Sequence, residues 1–395
     1  MHVSNNPLPS QIEAPTSKSY ANRALILAAL TSEEVEIHQL PDSLDVEDMI
    51  DNLKKIGLKI LREKRNITIL NSFPACETET MGEYLDLEGS EGGTTVRFLT
   101  TLLSLGSKSY NLKLKAHMKN RPMDKQISLL SGMGVRITKL EEAVNIKGPL
   151  NQESSVVVDC SETTQFASSL ILLSRFTSLD IKLENISFSS LYLEMTKSLV
   201  SNFKTPYRVP VDFSSLSYLV AYAILNQDLL IKNVGEIDSQ QADAKLFDYL
   251  ERLGGRLEFD GPDLKIFKSE LKGRIEINVK DCLDLFPTLI YLAMFSQAQF
   301  VFKNLGPLEF KESNRKEEVF KLLDHFKVAY EYNRNLDILE VKESQPKLPT
   351  GEVKLPNDHR IVMSYTLMLK QLGGGKVPQS QSVRKSFGEF FNYFS

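Results

Sequence analysis

The sequence predicts an α/β fold made of repeated modules, with apolar helices on the inside and sheets packed around them. Two recurring patterns lead to that expectation. The first is a helix of the form L-x-x-h-G followed by a short alternating strand. IDNLKKIGLKIL (50–61), ISLLSGMGVRI (127–137) and LFDYLERLGGRLEF (246–259) share it, while MTKSLVSNFKTPYRV (195–209) and EEVFKLLDHFKVAYEY (317–332) keep the periodicity without the glycine. The glycine suits a left-handed C-cap, and the β-branched and aromatic residues beyond it suit a strand. A spacing of roughly sixty to seventy residues is longer than that of the small repeat families and implies modules built on one plan.

The second pattern is a set of helices that fill the gaps, each preceded by a polar motif. They are SEGGTTVRFLTTLLSL (90–105), SETTQFASSLILLSRF (161–176), VDFSSLSYLVAYAIL (211–225), DCLDLFPTLIYLAMF (281–295) and NDHRIVMSYTLML (357–369). Leu, Ala, Ser and Ile cover most of their faces, which predicts burial on all sides rather than on one stripe. That reverses the usual arrangement with helices outside. The best internal boundary is KTPYRVPVDF (204–213), where two prolines sit at a change of motif.

Composition narrows the function classes. A chain of 395 residues with 42% hydrophobic and 25% charged residues can bury a substantial core, and its length suits two or three domains. The formal charge of -4 gives no general attraction to nucleic acid or to an anionic membrane. No basic-then-apolar leader opens the sequence and no apolar run reaches bilayer length, so a cytoplasmic protein is expected. Cys76, Cys160 and Cys282 are odd in number and far apart, which suits reduced structural thiols. His2, His38, His117, His325 and His359 show no zinc spacing, and no metal is expected. EGGTTVR matches neither the P-loop nor the dinucleotide fingerprint, so nucleotide cofactors find no support.

Cations gather at the polar motifs. APTSKSYANRALILAAL (14–30) crowds Lys18, Ser19, Asn22 and Arg23 at the start of a helix, where cations oppose the macrodipole unless an anion lies between them. SKSYANR, EGGTTVR, KNRPMD, ETTQF, KESNR, NDHR and RKS together place Lys18, Arg23, Arg97, Arg121, Lys311, Arg315, Arg360 and Lys385 at or near helix starts. A substrate with more than one negative group accounts for that in a net acidic chain. Gly92 and Gly93 would let backbone N–H groups approach an anion, although a plain turn explains a bare Gly-Gly as well. Asp284, Lys311 and Glu312 are candidates for proton transfer. For Asp284 the structural alternative is a helix N-cap, and for Glu312 a salt-bridged surface turn. No Ser-His-Asp signature appears.

As an ordered set, these motifs resemble the 5-enolpyruvylshikimate-3-phosphate (EPSP) synthase family. SKSYANRALILAAL is similar to its opening S-K-S-x-x-N-R-A motif, GGTTVR to its G-T-x-x-R segment, NRPM to its R-P motif and TTQF to its S-S-Q-F. LYLEMT, DLFPTL, KESNR, NDHR and VRKSF follow in family order, so the resemblance covers about residues 14–390. It implies a two-domain inside-out α/β barrel of repeated βαβαββ units, three per domain (EPT/RTPC-like). Residues 17–210 would form one domain and residues 1–16 with 211–395 the other, with the active site in the cleft between them.

The implied reaction moves the enolpyruvyl group of phosphoenolpyruvate onto the 5-hydroxyl of shikimate 3-phosphate and releases phosphate through a tetrahedral intermediate. Carried over by motif, Lys18, Ser19, Arg23, Thr163, Thr164, Gln165, Ser189 and Tyr192 would hold shikimate 3-phosphate, with Asp284 and Lys311 at its reacting end. Lys18, Gly93, Arg121, Gln165 and Lys385 would meet the phosphate side of phosphoenolpyruvate, and Arg315 and Arg360 its carboxylate. Asp284, Lys311, Glu312 and His359 would be catalytic. The resemblance implies no cofactor, no nucleic-acid or membrane partner, and a monomer that the family inhibitor glyphosate targets.

Some positions depart from the family pattern: Glu91 stands for asparagine, Phe98 for proline or leucine, Asn314 for aspartate and Gly388 for proline. Two other readings compete. One is the sister transferase acting on UDP-N-acetylglucosamine, which uses a loop cysteine that the NRPM segment lacks. The other is a non-catalytic binder of phosphorylated metabolites.

Overall fold

The computed structural model describes residues 1–78, 82–153, 155–186 and 190–395. The chain divides into two compact units, residues 16–210 and residues 1–15 with 211–395.

In the first unit the helices Lys18–Leu30, Gly93–Leu103 and Gln165–Leu173 pack on one another and are buried along nearly their whole length. Leu25, Leu27, Leu99, Leu102 and Leu172 are fully buried within them. Truncating one, as in Leu99→Ala, costs about 2–5 kcal/mol of stability. Around these helices lie the four-stranded sheet Tyr207–Arg208, Val35–His38, Asn66–Ile69, Ile60–Glu63 and the four-stranded sheet Tyr84–Glu88, Ser109–Lys113, Ala143–Lys147, Arg136–Lys139. A parallel pair, Ser155–Asp159 with Asp180–Glu184, completes the unit.

The second unit repeats the plan. Its buried helices are Phe213–Asn226, Phe286–Phe295 and His359–Gln371, again in mutual contact. One four-stranded sheet runs Arg256–Asp260, Asp263–Phe267, Leu229–Lys232, Gln11–Glu13, and the other Arg274–Asn278, Gln299–Lys303, Ile338–Val341, Tyr330–Asn333. The third module is reduced to an antiparallel pair, His2–Ser4 with Gly374–Lys376.

The L-x-x-h-G signature has one physical meaning throughout. In each case the leucine is fully buried, and its carbonyl accepts a hydrogen bond from the residue five positions on: Leu58 to Leu53, Val135 to Leu130, Gly255 to Leu250 and Val328 to Leu323, at 2.8–3.1 Å. Such a bond closes a helix through a left-handed residue. Gly57 and Gly254 supply it, at φ 102° and 87°. In the glycine-free segment 317–332, Lys327 adopts φ 58° instead, so there the packed leucine keeps the closing bond without a glycine.

Candidate active site

Each unit carries one cluster of the residues expected from the sequence. In the first unit, Ser17 caps the helix Lys18–Leu30 by accepting from the Tyr20 N–H, and no acid follows in the first turn. The negative charge comes from another helix. Asp45, in the first turn of Leu44–Lys55, places Oδ2 2.9 Å from Lys18 Nζ.

One turn beyond Lys18, the buried Arg23 donates from Nε to Thr196 Oγ1 at 2.8 Å and from Nη1 to the Ser19 carbonyl at 2.9 Å. Its third bond is a long one, from Nη2 to the Tyr192 carbonyl at 3.4 Å. The guanidinium lies 5.3 Å over the Phe98 ring and 5.8 Å over Tyr192. Phe98, a departure from the family pattern, therefore gives Arg23 an aromatic floor. Burial, against weaker help from the tyrosines, lowers the Arg23 pKa to about 10.

Gly92 and Gly93 make room for side chains. A Cβ on Gly92 would collide with the Asp45 carboxylate, and one on Gly93 would lie 2.5 Å from Arg121 Nη1 and 3.1 Å from Arg97 Nη1. Two guanidinium groups thus converge on the start of the helix Gly93–Leu103. Arg97 is 1% exposed, donates to Gln165 Oε1 at 2.5 Å and to the Pro122 carbonyl at 2.7 Å, and its Nε has no acceptor among the described residues. Burial, and then the Arg121 charge, drives its pKa far down. Gln165 in turn donates to Thr94 Oγ1 at 3.0 Å, and Thr163 Oγ1 accepts from the Gln165 N–H at 3.2 Å. Thr164 is buried beside it, and Tyr192 is half-buried. Ser189 lies outside the described residues.

The second unit holds the acid–base candidates. Asp284 directly precedes Leu285, the cap position of the helix Phe286–Phe295. Its carboxylate is taken up by cations: Oδ1 lies 2.6 Å from Arg315 Nη1, 3.5 Å from Lys311 Nζ and 3.5 Å from Arg360 Nε. Glu312 is not a surface turn. Its Oε2 lies 2.9 Å from His359 Nδ1 and its Oε1 3.0 Å from Lys385 Nζ, the last residue of the 3-10 segment Ser380–Lys385. Lys311, Glu312, Arg315, His359, Arg360 and Lys385 are thereby linked to Asp284 or to one another.

Two residues of this network do not stand out in the sequence. Asp358 caps the helix His359–Gln371, accepting from Arg360 N at 3.0 Å, and also clamps Arg315, Nε to Oδ2 at 2.8 Å and Nη2 to Oδ1 at 3.3 Å. An aspartate in cap position directly before two basic residues was the available signal. Asp243, far away in sequence, is buried and accepts from Ser214 Oγ. Asn314, another departure, accepts from Glu317 N at 3.3 Å as the cap of Arg315–His325, a role aspartate fills no better.

The electrostatics follow from this wiring. Burial alone would raise the Asp284 pKa, but Lys311, Arg360 and Arg315 outweigh it and hold the carboxyl well below its ordinary range. Burial lowers the Lys311 pKa, and the Arg315 and Arg360 charges add to that against the pull of Asp284. Burial and then the Asp284 charge push Asp243 up to about 6. Oxygens and nitrogen of Glu312, Asp358 and His359 lie within 4.8 Å of one another. Lys385 and Arg315 already stand against those carboxylates, so the donor set is a poor seat for a metal cation.

Among the described residues no helix is long and apolar enough to cross a membrane. The three cysteines are free and buried, and Cys76 and Cys282 are pushed by burial up to about 11 and about 12. They are inert as nucleophiles.

A profile of the family EPSP synthase (3-phosphoshikimate 1-carboxyvinyltransferase) matches residues 3–206 and again 201–394. The chain is 29% identical over 403 residues to the 3-phosphoshikimate 1-carboxyvinyltransferase of Thermococcus kodakarensis, covering 97% of this chain and 96% of that one. It is 27% identical over 412 residues to the enzyme of the same name from Hamiltonella defensa, covering 95% and 93%. EPSP synthase from Acinetobacter baumannii shares the fold with a TM-score of 0.77 at 19% identity, over 99% of this chain and 96% of that one. The enolpyruvyl transferase NikO from Streptomyces tendae does so with a TM-score of 0.71 at 13% identity, over 100% and 96%. With both units matched from end to end, the chain belongs to the EPSP synthase (3-phosphoshikimate 1-carboxyvinyltransferase) family.

Proposed function

We propose that the protein transfers the enolpyruvyl group of phosphoenolpyruvate to the 5-hydroxyl of shikimate 3-phosphate, giving 5-enolpyruvylshikimate 3-phosphate and phosphate. The observation that carries this reading is the division of labour between the clusters. One presents buried arginines that want an anion, and the other presents carboxylates and an amine whose proton affinities are displaced by their neighbours.

Arg23, Ser19, Thr163, Thr164, Gln165 and Tyr192 hold shikimate 3-phosphate. Lys18, Arg121 and Lys385 take the phosphate of phosphoenolpyruvate, with Gly93 keeping space beside Arg121. Arg360 and Arg315 take its carboxylate. Arg315 already donates to Asp358 and Asp284, so it meets the substrate while anchored, whereas Arg360 is more loosely engaged at 3.5 Å.

The chemistry requires a proton to reach C3 of phosphoenolpyruvate while the 5-hydroxyl oxygen bonds to C2 and loses its own proton. The C2–O bond to phosphate then breaks and C3 returns a proton. Asp284 is a weak base while three cations face it. When substrate anions draw Arg360 and Lys311 away, its proton affinity rises as the hydroxyl arrives. Lys311, with its lowered pKa, and the Glu312–His359 pair are the groups that deliver and recover the C3 proton. The arginines stabilise charge on the adduct and on the leaving phosphate. Buried thiols of high pKa give a cysteine-dependent sister reaction no nucleophile, and they suit a reducing, cytoplasmic setting.

Phosphate release tests the reading. Purified protein is given both substrates, each substrate alone, and both substrates with Asp284→Ala. Release that needs both and collapses in the variant supports the transferase; binding of both without release sinks it in favour of a non-catalytic binder.

A further inference from the structure

The seat around Asp45 is more elaborate than an ion pair to Lys18 requires. The residue is 2% exposed. Its Oδ1 accepts the Ser90 hydroxyl at 2.9 Å, and that hydroxyl oxygen accepts the Gly92 N–H at 3.2 Å. The Thr95 hydroxyl donates to the Asp45 backbone carbonyl at 3.0 Å. A side chain at position 92 would strike the carboxylate. Two helix starts and the 90–93 loop, far apart in sequence, thus close on one carboxylate. Its partner Lys18 keeps 15% of its side chain exposed.

We propose that Asp45 is the positioning residue for Lys18: an internal carboxylate that orders the ammonium and yields to a substrate phosphate when one arrives. The inference rests on the assignment of Lys18 to a substrate phosphate.

Two effects of this carboxylate oppose each other. It repels an arriving phosphate at short range, which weakens ground-state binding. It also holds a long, flexible side chain in the place where charge develops on the leaving phosphate, which benefits the transition state. The two effects fall on different kinetic parameters.

Asp45→Asn keeps the volume and can keep the bond from Ser90. It is expected to lower kcat for phosphate release about tenfold or more, with KM for phosphoenolpyruvate unchanged or lower. Inorganic phosphate, titrated by calorimetry, is expected to bind about three- to tenfold tighter. Ser90→Ala removes one bond to the same carboxylate and gives a smaller version of the same split. A purely structural role would instead raise KM and weaken phosphate binding together. That result, or an unchanged kcat in folded Asp45→Asn, overturns the proposal. Should Asp45→Asn fail to fold, Ser90→Ala and Gly92→Ala are judged by the same criteria. Phosphate binding is read without turnover, so the two readings can fail separately. A wild-type protein that binds phosphate but releases none from the substrates refutes the transferase and leaves this test standing. Unchanged phosphate affinity in Asp45→Asn refutes the positioning role alone.

Discussion

The two units bury cations in opposite ways. In residues 16–210, Arg23 and Arg97 donate to hydroxyl, amide and carbonyl oxygens, and no carboxylate lies within ion-pair distance of either among the described residues. In the other unit Lys311, Arg315, Arg360 and Lys385 each face Asp284, Asp358 or Glu312. A buried guanidinium without an anion is costly, and the cost is relieved when a ligand brings the charge. A buried cation already paired gains less from a ligand but fixes the proton affinity of its partner. The contrast teaches that the buried arginines of one unit are left to neutral acceptors, while the cations of the other set the proton affinities of the carboxylates they face.

The largest test of that contrast is Asp284→Ala. It should reduce kcat about a thousandfold, measured as phosphate release, while shikimate 3-phosphate still binds. A comparable loss of shikimate 3-phosphate binding would break the contrast, because it would make Asp284 a holder of that substrate rather than a carrier of protons.

Next in size is Arg23→Lys. Lysine cannot satisfy Thr196, Ser19 and Tyr192 with one planar fork, so KM for shikimate 3-phosphate should rise about ten- to a hundredfold with kcat changed far less. A matching fall in kcat would blur the two roles.

Asp243 sharpens the comparison through pH. Its folded pKa of about 6 lies above the ordinary 3.8, so between those values the folded state holds more protons than the unfolded one. This group's contribution therefore favours folding below about pH 4 and is lost as pH rises through 6. Asp243→Asn should stabilise the protein at pH 7 by about 3 kcal/mol, read by chemical denaturation, and flatten the stability profile between pH 4 and 6. An unchanged profile would mean that Arg360 already neutralises the buried charge.

The smallest effect is expected at Asn314. Asn314→Ala removes the cap of Arg315–His325 and should cost about 1 kcal/mol, while Asn314→Asp should be close to neutral in both stability and turnover. A large loss of kcat in Asn314→Asp would make this departure functional rather than a change of cap.

The buried helices were legible because a polar motif followed by an apolar run on every face has few other solutions. The leucine of L-x-x-h-G was legible through its spacing, even where Lys327 stands in for glycine. The cation motifs were legible one by one, but their partners were not. Asp45 meets Lys18 across 27 positions and Asp358 meets Arg315 across 43. Such pairs are set by how helices pack, which local patterns do not encode. Arg97 shows the same limit, since only its burial against Gln165 and Pro122 separates it from an ordinary surface arginine. Gly92 and Gly93 suggested backbone approach to an anion, whereas the space they leave is filled by Asp45 and Arg121.

The strand Gln11–Glu13 forms the edge of a sheet whose neighbour is Leu229–Lys232, and His2–Ser4 pairs with Gly374–Lys376. On the ribosome, residues 2–13 therefore emerge well before the strands they pair with. The segment 16–210 is translated in roughly 10–40 s and folds as its own unit, while the leading strands wait unpaired. Exposed edges recruit other chains. The charged residue Glu13 and the prolines at positions 7, 9 and 15 make this waiting segment a poor template for that kind of capture. Residues 2–13 thus stay without their partner strands until 229–232 and 374–376 have been made, and their charge and prolines guard them in that interval.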